Sequence, residues 1–213
     1  MNREFNREEH VYASDAFEEI IKDTIRFFNG TPVIELPPKT KFHGTGVYAI
    51  YYIGKNEMYQ EISAKNRVEF SLPIYVGKAV PRGWRQARVE NIIEKKSYEL
   101  NGRLNEHTRS ITQAKNLVSD DFYCRFMILE AAASSLIGTV EAALIRHYKP
   151  LWNIKVDGFG NHDPGKGRYN QAKSEWDIIH PGRPWADKCL GESSDSNKVE
   201  EKIAKYFTKK RGE

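Results

Sequence analysis

Alternating side chains predict three β-strands. Residues 46–53 place Val, Ala, Tyr and Ile at one set of alternate positions and Tyr, Ile and Tyr at the other, which is the period of two expected of a strand. Residues 74–76 predict a partner strand, and residues 122–129, rich in aromatic and aliphatic side chains, predict a third. The polar segment 54–73 between the first two strands is too long for a tight hairpin. We expect it to be an insertion able to approach a ligand.

Apolar residues at helical spacing predict four helices. The first begins at a cap formed by Ser14 or Asp15 and ends before Gly30. A second begins near Gly102, a third runs through 134–149, and the last lies near the C-terminus after a Ser/Asp/Asn linker. The segment from 156 onward is rich in Gly, His, Pro and Arg, which predicts extended loops with few regular elements.

Composition indicates a globular protein with a preference for polyanions. The 213 residues are 39% hydrophobic and 29% charged, which excludes a largely disordered chain and predicts one domain with additions. The formal net charge of +4 favours a polyanionic partner. No apolar run is long enough for a membrane helix and the N-terminus is charged, so we expect a cytoplasmic protein. Cys124 and Cys189 show no metal-binding spacing.

Six types of polar residue suited to phosphodiester chemistry follow one another along these elements. They are Tyr48, Tyr75 and Lys78 on or beside the paired strands, Arg103 and His107 one helical turn apart, Glu141 beside an apolar helix stripe, and Asn153. A carboxylate placed against a core-facing stripe requires a partner, because an unpaired buried charge costs several kcal/mol.

This ordered set resembles the GIY-YIG nucleases. Gly46-Val47-Tyr48 matches the first half of their signature, Tyr75-Val76-Gly77 the second, GRLNEH the arginine-bearing helix, and Glu141 with Asn153 the later elements. Tyr52-Ile53-Gly54 spells the second half literally, but it lies on the same strand as Tyr48 and is rejected.

The resemblance implies an α/β (α+β) fold. Its GIY-YIG core, about residues 44–155, is a small three-stranded antiparallel sheet flanked by helices. We expect one domain over 1–213, with an N-terminal arm of about 1–43, insertions at 54–73 and 80–100, and a C-terminal extension of about 156–213.

A closer likeness is to type II restriction endonucleases of the SacII-isoschizomer kind, through YVGKAVPRGWRQAR and WDIIHPGRPWA. It implies a homodimer that cuts both strands of double-stranded DNA at the palindrome CCGCGG, and a cognate DNA methyltransferase in the same cell. Two alternatives stay open. One is a structure-specific repair or homing-type nuclease on the same core, and the other is a DNA-binding protein that has lost catalysis.

The resemblance implies that Tyr48 is the general base. Because a phenol has a pKa of about 10, this tyrosine needs help, and either Lys78 as a nearby cation or His107 as proton acceptor would give it. We expect Arg103 to stabilise transition-state charge and Tyr75 to contact the water or the scissile phosphate.

Glu141 offers the hard oxygen ligand that Mg²⁺ prefers, and we expect Mn²⁺ to substitute. Asn153 would orient Glu141 or complete the metal shell. A single matched carboxylate favours one metal, unless Asp120, Asp121 or Glu130 lies close to Glu141.

Two further regions are candidates for DNA contact. Arg82, Arg85 and Arg88 recur around Trp84, which suits phosphate contacts and bidentate readout of guanine; a solvated basic loop is the alternative. The region of Arg183 either reaches a DNA groove or ties the tail to the core.

Overall fold

The computed structural model describes residues 4–81 and 97–211. Its centre is a four-stranded antiparallel sheet with the order β1-β4-β2-β3. The strands are β1 (Ile34–Glu35), β2 (Gly46–Tyr52), β3 (Tyr75–Ala79) and β4 (Phe122–Ile128). The predicted small antiparallel sheet flanked by helices is confirmed. The additional strand, β1, has two residues paired with the edge of β4, which is too short for a period of two to reveal it.

Seven α-helices surround this sheet within the described residues. They are α1 (Asp15–Gly30), α2 (Gln60–Val68), α3 (Glu99–Gln113), α4 (Ile137–Tyr148), α5 (Leu151–Ile154), α6 (Glu175–Ile179) and α7 (Ser196–Arg211). The insertion after β2 was predicted to be a polar loop, but it contains α2. That helix is hard to predict because its buried face includes the polar residues Ser63 and Asn66. The side chain of Asn66 binds the backbone of Leu72 and Tyr52.

The central strand β2 is buried on both faces. Val47, Ala49 and Tyr51 belong to the core that includes residues of α1 and α4. The alternate residues of β2 belong to a second core, shared with α3 and with apolar residues of the extension after residue 155. The C-terminal extension is therefore part of the structure that covers the sheet. None of the described helices has the length and apolar character needed to cross a membrane.

A buried histidine joins the extension to the rest of the fold. His180 is completely buried. Its Nδ1 donates to Oδ1 of Asn116 (2.8 Å), and its Nε2 accepts from the hydroxyl of Tyr59 (2.5 Å). Burial, with a smaller contribution from Arg183, lowers the pKa of His180 to about 3. The imidazole is therefore neutral in the folded protein at neutral pH and stays neutral in mild acid.

This buried imidazole predicts acid sensitivity of the fold. At pH 7.5 His180 is neutral in both states, whereas at pH 4.5 it is protonated only in the unfolded chain, because the folded pKa is about 3. Its contribution to the free energy of unfolding is expected to fall by about 3 kcal/mol between these pH values. Urea denaturation at each pH measures the change. His180→Gln should show a smaller loss than wild type, and an equal loss in both proteins would contradict the assignment.

Candidate active site

The register of β2 and β3 places a tyrosine against a glycine. Tyr48 pairs with Gly77, and its side chain is completely buried. A Cβ at Gly77 would lie 2.4 Å from the Tyr48 hydroxyl oxygen, which no real side chain tolerates. The glycine therefore lets the phenol reach the backbone of β3. This pairing also places Tyr75-Val76-Gly77, rather than Tyr52-Ile53-Gly54, opposite Tyr48, as we predicted.

His107 contacts the phenol of Tyr48. The hydroxyl donates to Nε2 of His107 at 2.6 Å, because α3 turns this histidine toward the sheet, where it is buried. Burial raises the pKa of Tyr48 well above its usual value; the neighbouring Tyr75 adds to this, and Arg103 opposes it. Burial also lowers the pKa of His107 well below its usual value. Both groups are therefore neutral at neutral pH.

Lys78 lies on the other face of β3. It pairs with Val47, whose side chain points away from Tyr48, and its Nζ is 2.5 Å from Oε2 of Glu141. The two side chains are 40% and 19% exposed, so the pair lies at the surface. Of the two candidates to assist Tyr48, the structure brings His107 into contact and pairs Lys78 with the carboxylate.

Glu141 belongs to no larger cluster of metal-binding side chains in the described part of the chain. No group of three or more His, Cys, Asp or Glu side chains that could hold a metal occurs there. Asp121 lies instead against Gly54, since a Cβ at that glycine would be 2.1 Å from its Oδ2. A single accessible carboxylate fits Mg²⁺, which commonly binds through one or two carboxylates and keeps several waters.

The side-chain amide of Asn153 binds the backbone of β3. Its Oδ1 accepts from the backbone N–H of Val76, and its Nδ2 donates to the carbonyl of the same residue, both at 2.8 Å. Each polar atom of the amide can form a second contact, so its place beside Glu141 or a metal stays a prediction. Asn153 binds the open edge of β3 between Tyr75 and Gly77, and so holds that strand in place.

Removal of the Asn153 amide is expected to destabilise the fold. Asn153→Ala leaves two backbone groups of Val76 without these partners, which costs about 1–3 kcal/mol in the free energy of unfolding. Urea denaturation measures the loss. Asn105→Ala is the matched control, since this exposed amide bonds only a carbonyl within α3. If Asn153→Ala is as stable as wild type, the proposal that Asn153 holds β3 in place is wrong.

Arg103 is held by three partners. Its Nη1 donates to Oε2 of Glu106 (2.8 Å) and to Nε2 of His162, and its Nη2 donates to the carbonyl of Gly160 (2.9 Å). Tyr75 adjoins the same loop, because a Cβ at Gly160 would lie 2.8 Å from its hydroxyl. Arg103 lies close enough to Tyr48 and Tyr75 that its charge opposes the burial that raises their pKa values, and its role in the reaction stays a prediction.

The segment 158–162, named here the GFGNH loop, was missed from sequence. Its Phe159 stacks on the His107 ring, with centroids 4.6 Å apart and planes at 15°, and packs edge-on to Tyr75 at 4.9 Å. The loop thus closes the site over the tyrosine–histidine pair. A cluster of glycines around an aromatic residue and a histidine was its one local signal.

Arg183 was predicted to contact DNA, and this is wrong. Its side chain is 1% exposed and makes a two-point ion pair with Asp177, at 2.6 and 2.7 Å. The guanidinium also lies 4.6 Å from the rings of Trp176 and Trp185. It has no surface to offer a groove, so the alternative, that this region ties the tail to the core, is correct. Predicted contacts by Arg82, Arg85 and Arg88 lie outside the described residues.

A protein-family model matches most of the chain. Residues 40–207 match the family model described as the Eco29kI GIY-YIG domain. The match includes the predicted core, the GFGNH loop and most of the C-terminal extension. None of the curated proteins with which the chain was compared is similar to it.

Proposed function

The chain belongs to the Eco29kI GIY-YIG family of restriction endonuclease domains, and from this premise we propose that it is a Mg²⁺-dependent type II restriction endonuclease. The observation that carries the proposal is the buried hydrogen bond between Tyr48 and His107, beside Arg103. This arrangement places Tyr48, a potential proton acceptor for water, next to Arg103, which is suited to stabilise phosphoryl charge.

Proton transfer through Tyr48 is the first step of the proposed mechanism. Forming a free phenolate is costly, because burial raises the pKa of Tyr48 above its usual 10. A relay avoids the free phenolate, and its cost is instead the protonation of His107, whose pKa is lowered by burial. The Tyr48 oxygen accepts a proton from the attacking water while its own proton passes to Nε2 of His107, which is 2.6 Å away. The water oxygen then bonds to phosphorus and the P–O bond to the leaving oxygen breaks.

Arg103 and Tyr75 would stabilise the negative charge on the phosphoryl group. Arg103 presents a planar set of donors suited to phosphoryl oxygens, and Tyr75 lies beside it at the rim of the site. Glu141 would hold Mg²⁺, with Mn²⁺ as a substitute. The bound ion supplies Lewis-acid stabilisation of the phosphoryl oxygens and the leaving oxygen. Lys78, which pairs with Glu141, would then be free to contact the DNA backbone.

The target and the assembly are proposed from the closer likeness. We infer cleavage at CCGCGG by a homodimer in the cytoplasm, in a cell that also contains a cognate methyltransferase. Part of that likeness has a structural explanation. The tail motif WDIIHPGRPWA supplies the buried residues Trp176, His180 and Arg183, so it supports a shared fold. The basic motif YVGKAVPRGWRQAR, with Arg82, Arg85 and Arg88, is left as the candidate for base readout.

Incubation of the protein with long duplex DNA and Mg²⁺ tests the proposal. An EDTA control and mapping of product ends complete the experiment. Discrete fragments that share a short GC-rich palindrome are expected. Cuts at branched or damaged sites would favour the repair or homing-type alternative, and tight binding without cutting would favour a non-catalytic DNA-binding protein.

A further inference from the structure

An exposed histidine borders the site next to the arginine. Nε2 of His162 accepts from Nη1 of Arg103, and a carboxylate oxygen of Glu106 is 3.9 Å from the same imidazole nitrogen. The His162 side chain is 64% exposed, whereas His107 is buried. A phosphate that reaches Arg103 from solvent must therefore approach the imidazole of His162 as well.

The backbone before His162 is fixed to the core. Arg183 donates to the carbonyls of Gly158, Phe159 and Asn161, at distances of 2.9 to 3.2 Å. Because this guanidinium is buried and paired with Asp177, the GFGNH loop has little freedom. His162 is thus held at the mouth of the site before any ligand arrives, which reduces the entropy cost of ordering it on binding.

Charge determines the state of His162 in the free protein. A guanidinium has donors but no acceptor, so an imidazole nitrogen that accepts from Arg103 carries no proton. Protonation would place two cations in contact. Three other charged groups lie near the loop. Glu106 is already bonded to Arg103, Asp163 is bonded to Tyr169 and to the Gly165 amide, and Arg183 is buried. Glu106 lies within reach of His162, at 3.9 Å, but Arg103 already shares this carboxylate, so one negative charge would face two cations.

A DNA phosphate supplies the missing negative charge. We propose that His162 is a phosphate-binding residue that releases Arg103 when DNA binds, takes up a proton from solvent, and donates from Nε2 to a phosphate oxygen beside the arginine. This inference rests on the proposed function. Because this step takes up a proton, it makes DNA binding tighter as the pH falls.

Binding measured against pH tests this role. Fluorescence anisotropy of a labelled duplex is recorded in EDTA, which prevents cutting, from about pH 5.5 to about pH 8.5 at constant salt. His162→Gln keeps a neutral acceptor for Arg103 but cannot take up a proton. It should weaken binding about tenfold near pH 6 and about twofold near pH 8. His147→Gln, which changes an exposed histidine on α4, should follow wild type throughout.

The outcomes separate this inference from the proposed function. If wild type binds and cuts DNA but His162→Gln shows the same pH dependence, the phosphate role of His162 is wrong and the nuclease proposal stands. If wild type neither binds nor cuts, the nuclease proposal fails and the inference falls with it. Equal melting temperatures of the two proteins would show that this exposed substitution leaves the fold intact.

Discussion

Replacing Glu141 by alanine is expected to slow DNA cleavage at least about 1000-fold while duplex binding persists. In the structure this carboxylate lies on α4 and reaches Lys78 of β3, and we propose it as the protein ligand of Mg²⁺. Under this proposal, its removal would take away the oxygen ligand of the ion. Single-turnover cleavage with saturating protein measures the loss, and anisotropy in EDTA measures binding separately.

Glu130→Gln is the matched control for this carboxylate. Glu130 precedes the short turn that leads into α4, and no metal-binding group that includes it is found among the described residues. Its loss should leave cleavage unchanged. A strong loss in Glu130→Gln would instead indicate a second metal ligand, and normal cutting by Glu141→Ala would rule out the role assigned to Glu141.

Tyr48→Phe is expected to reduce the cleavage rate about 100- to 1000-fold, the usual contribution of a positioned acid–base group. The substitution removes only the hydroxyl, so the ring still fills the space between Gly77 and α3. Because burial lowers the pKa of His107 well below its usual value, wild-type cleavage should rise with pH only in acid and be level near neutral pH, and the variant should lack the rise. Single-turnover rates across a pH series measure both effects.

The fold offers a second tyrosine–histidine pair as a control. Tyr59 donates to His180 at 2.5 Å and is as deeply buried as Tyr48, but it belongs to the core under the extension. Tyr59→Phe should cost about 1–3 kcal/mol in the free energy of unfolding, because a buried partner is left unpaired, with little change in cleavage rate. Equal losses of activity in Tyr48→Phe and Tyr59→Phe would show that Tyr48 acts through stability rather than through chemistry.

The site was only partly predictable from sequence, and strand geometry shows why. Tyr75 and Gly77 are two residues apart, so they share a face of β3, whereas Lys78 falls on the opposite face. Only the register of β2 against β3 shows that Gly77, rather than a larger residue, faces Tyr48. The choice of His107 over Lys78 as the partner of Tyr48 depends on that register and on the packing of α3.

The position of the GFGNH loop could not be predicted from local sequence patterns. The loop lies more than fifty residues after α3 begins, and nothing in its own residues specifies that it will cover His107 or bind Arg103. That position depends on Arg183 and Asp177, which come later still. The same long-range anchoring explains why a buried arginine was mistaken for a DNA-contacting one.

The sequence alone determined the order of the strands and helices that carry the site and the residue types in it, and its resemblance to the GIY-YIG nucleases implied the fold class. Periods of two and 3.6 are local properties of the backbone, and they survive in a linear pattern. The tertiary structure alone decided that Lys78 pairs with Glu141, that Asn153 binds an edge strand, and that the C-terminal extension completes the site. These are contacts between residues distant in the chain, fixed by register, burial and the need to pair every buried charge.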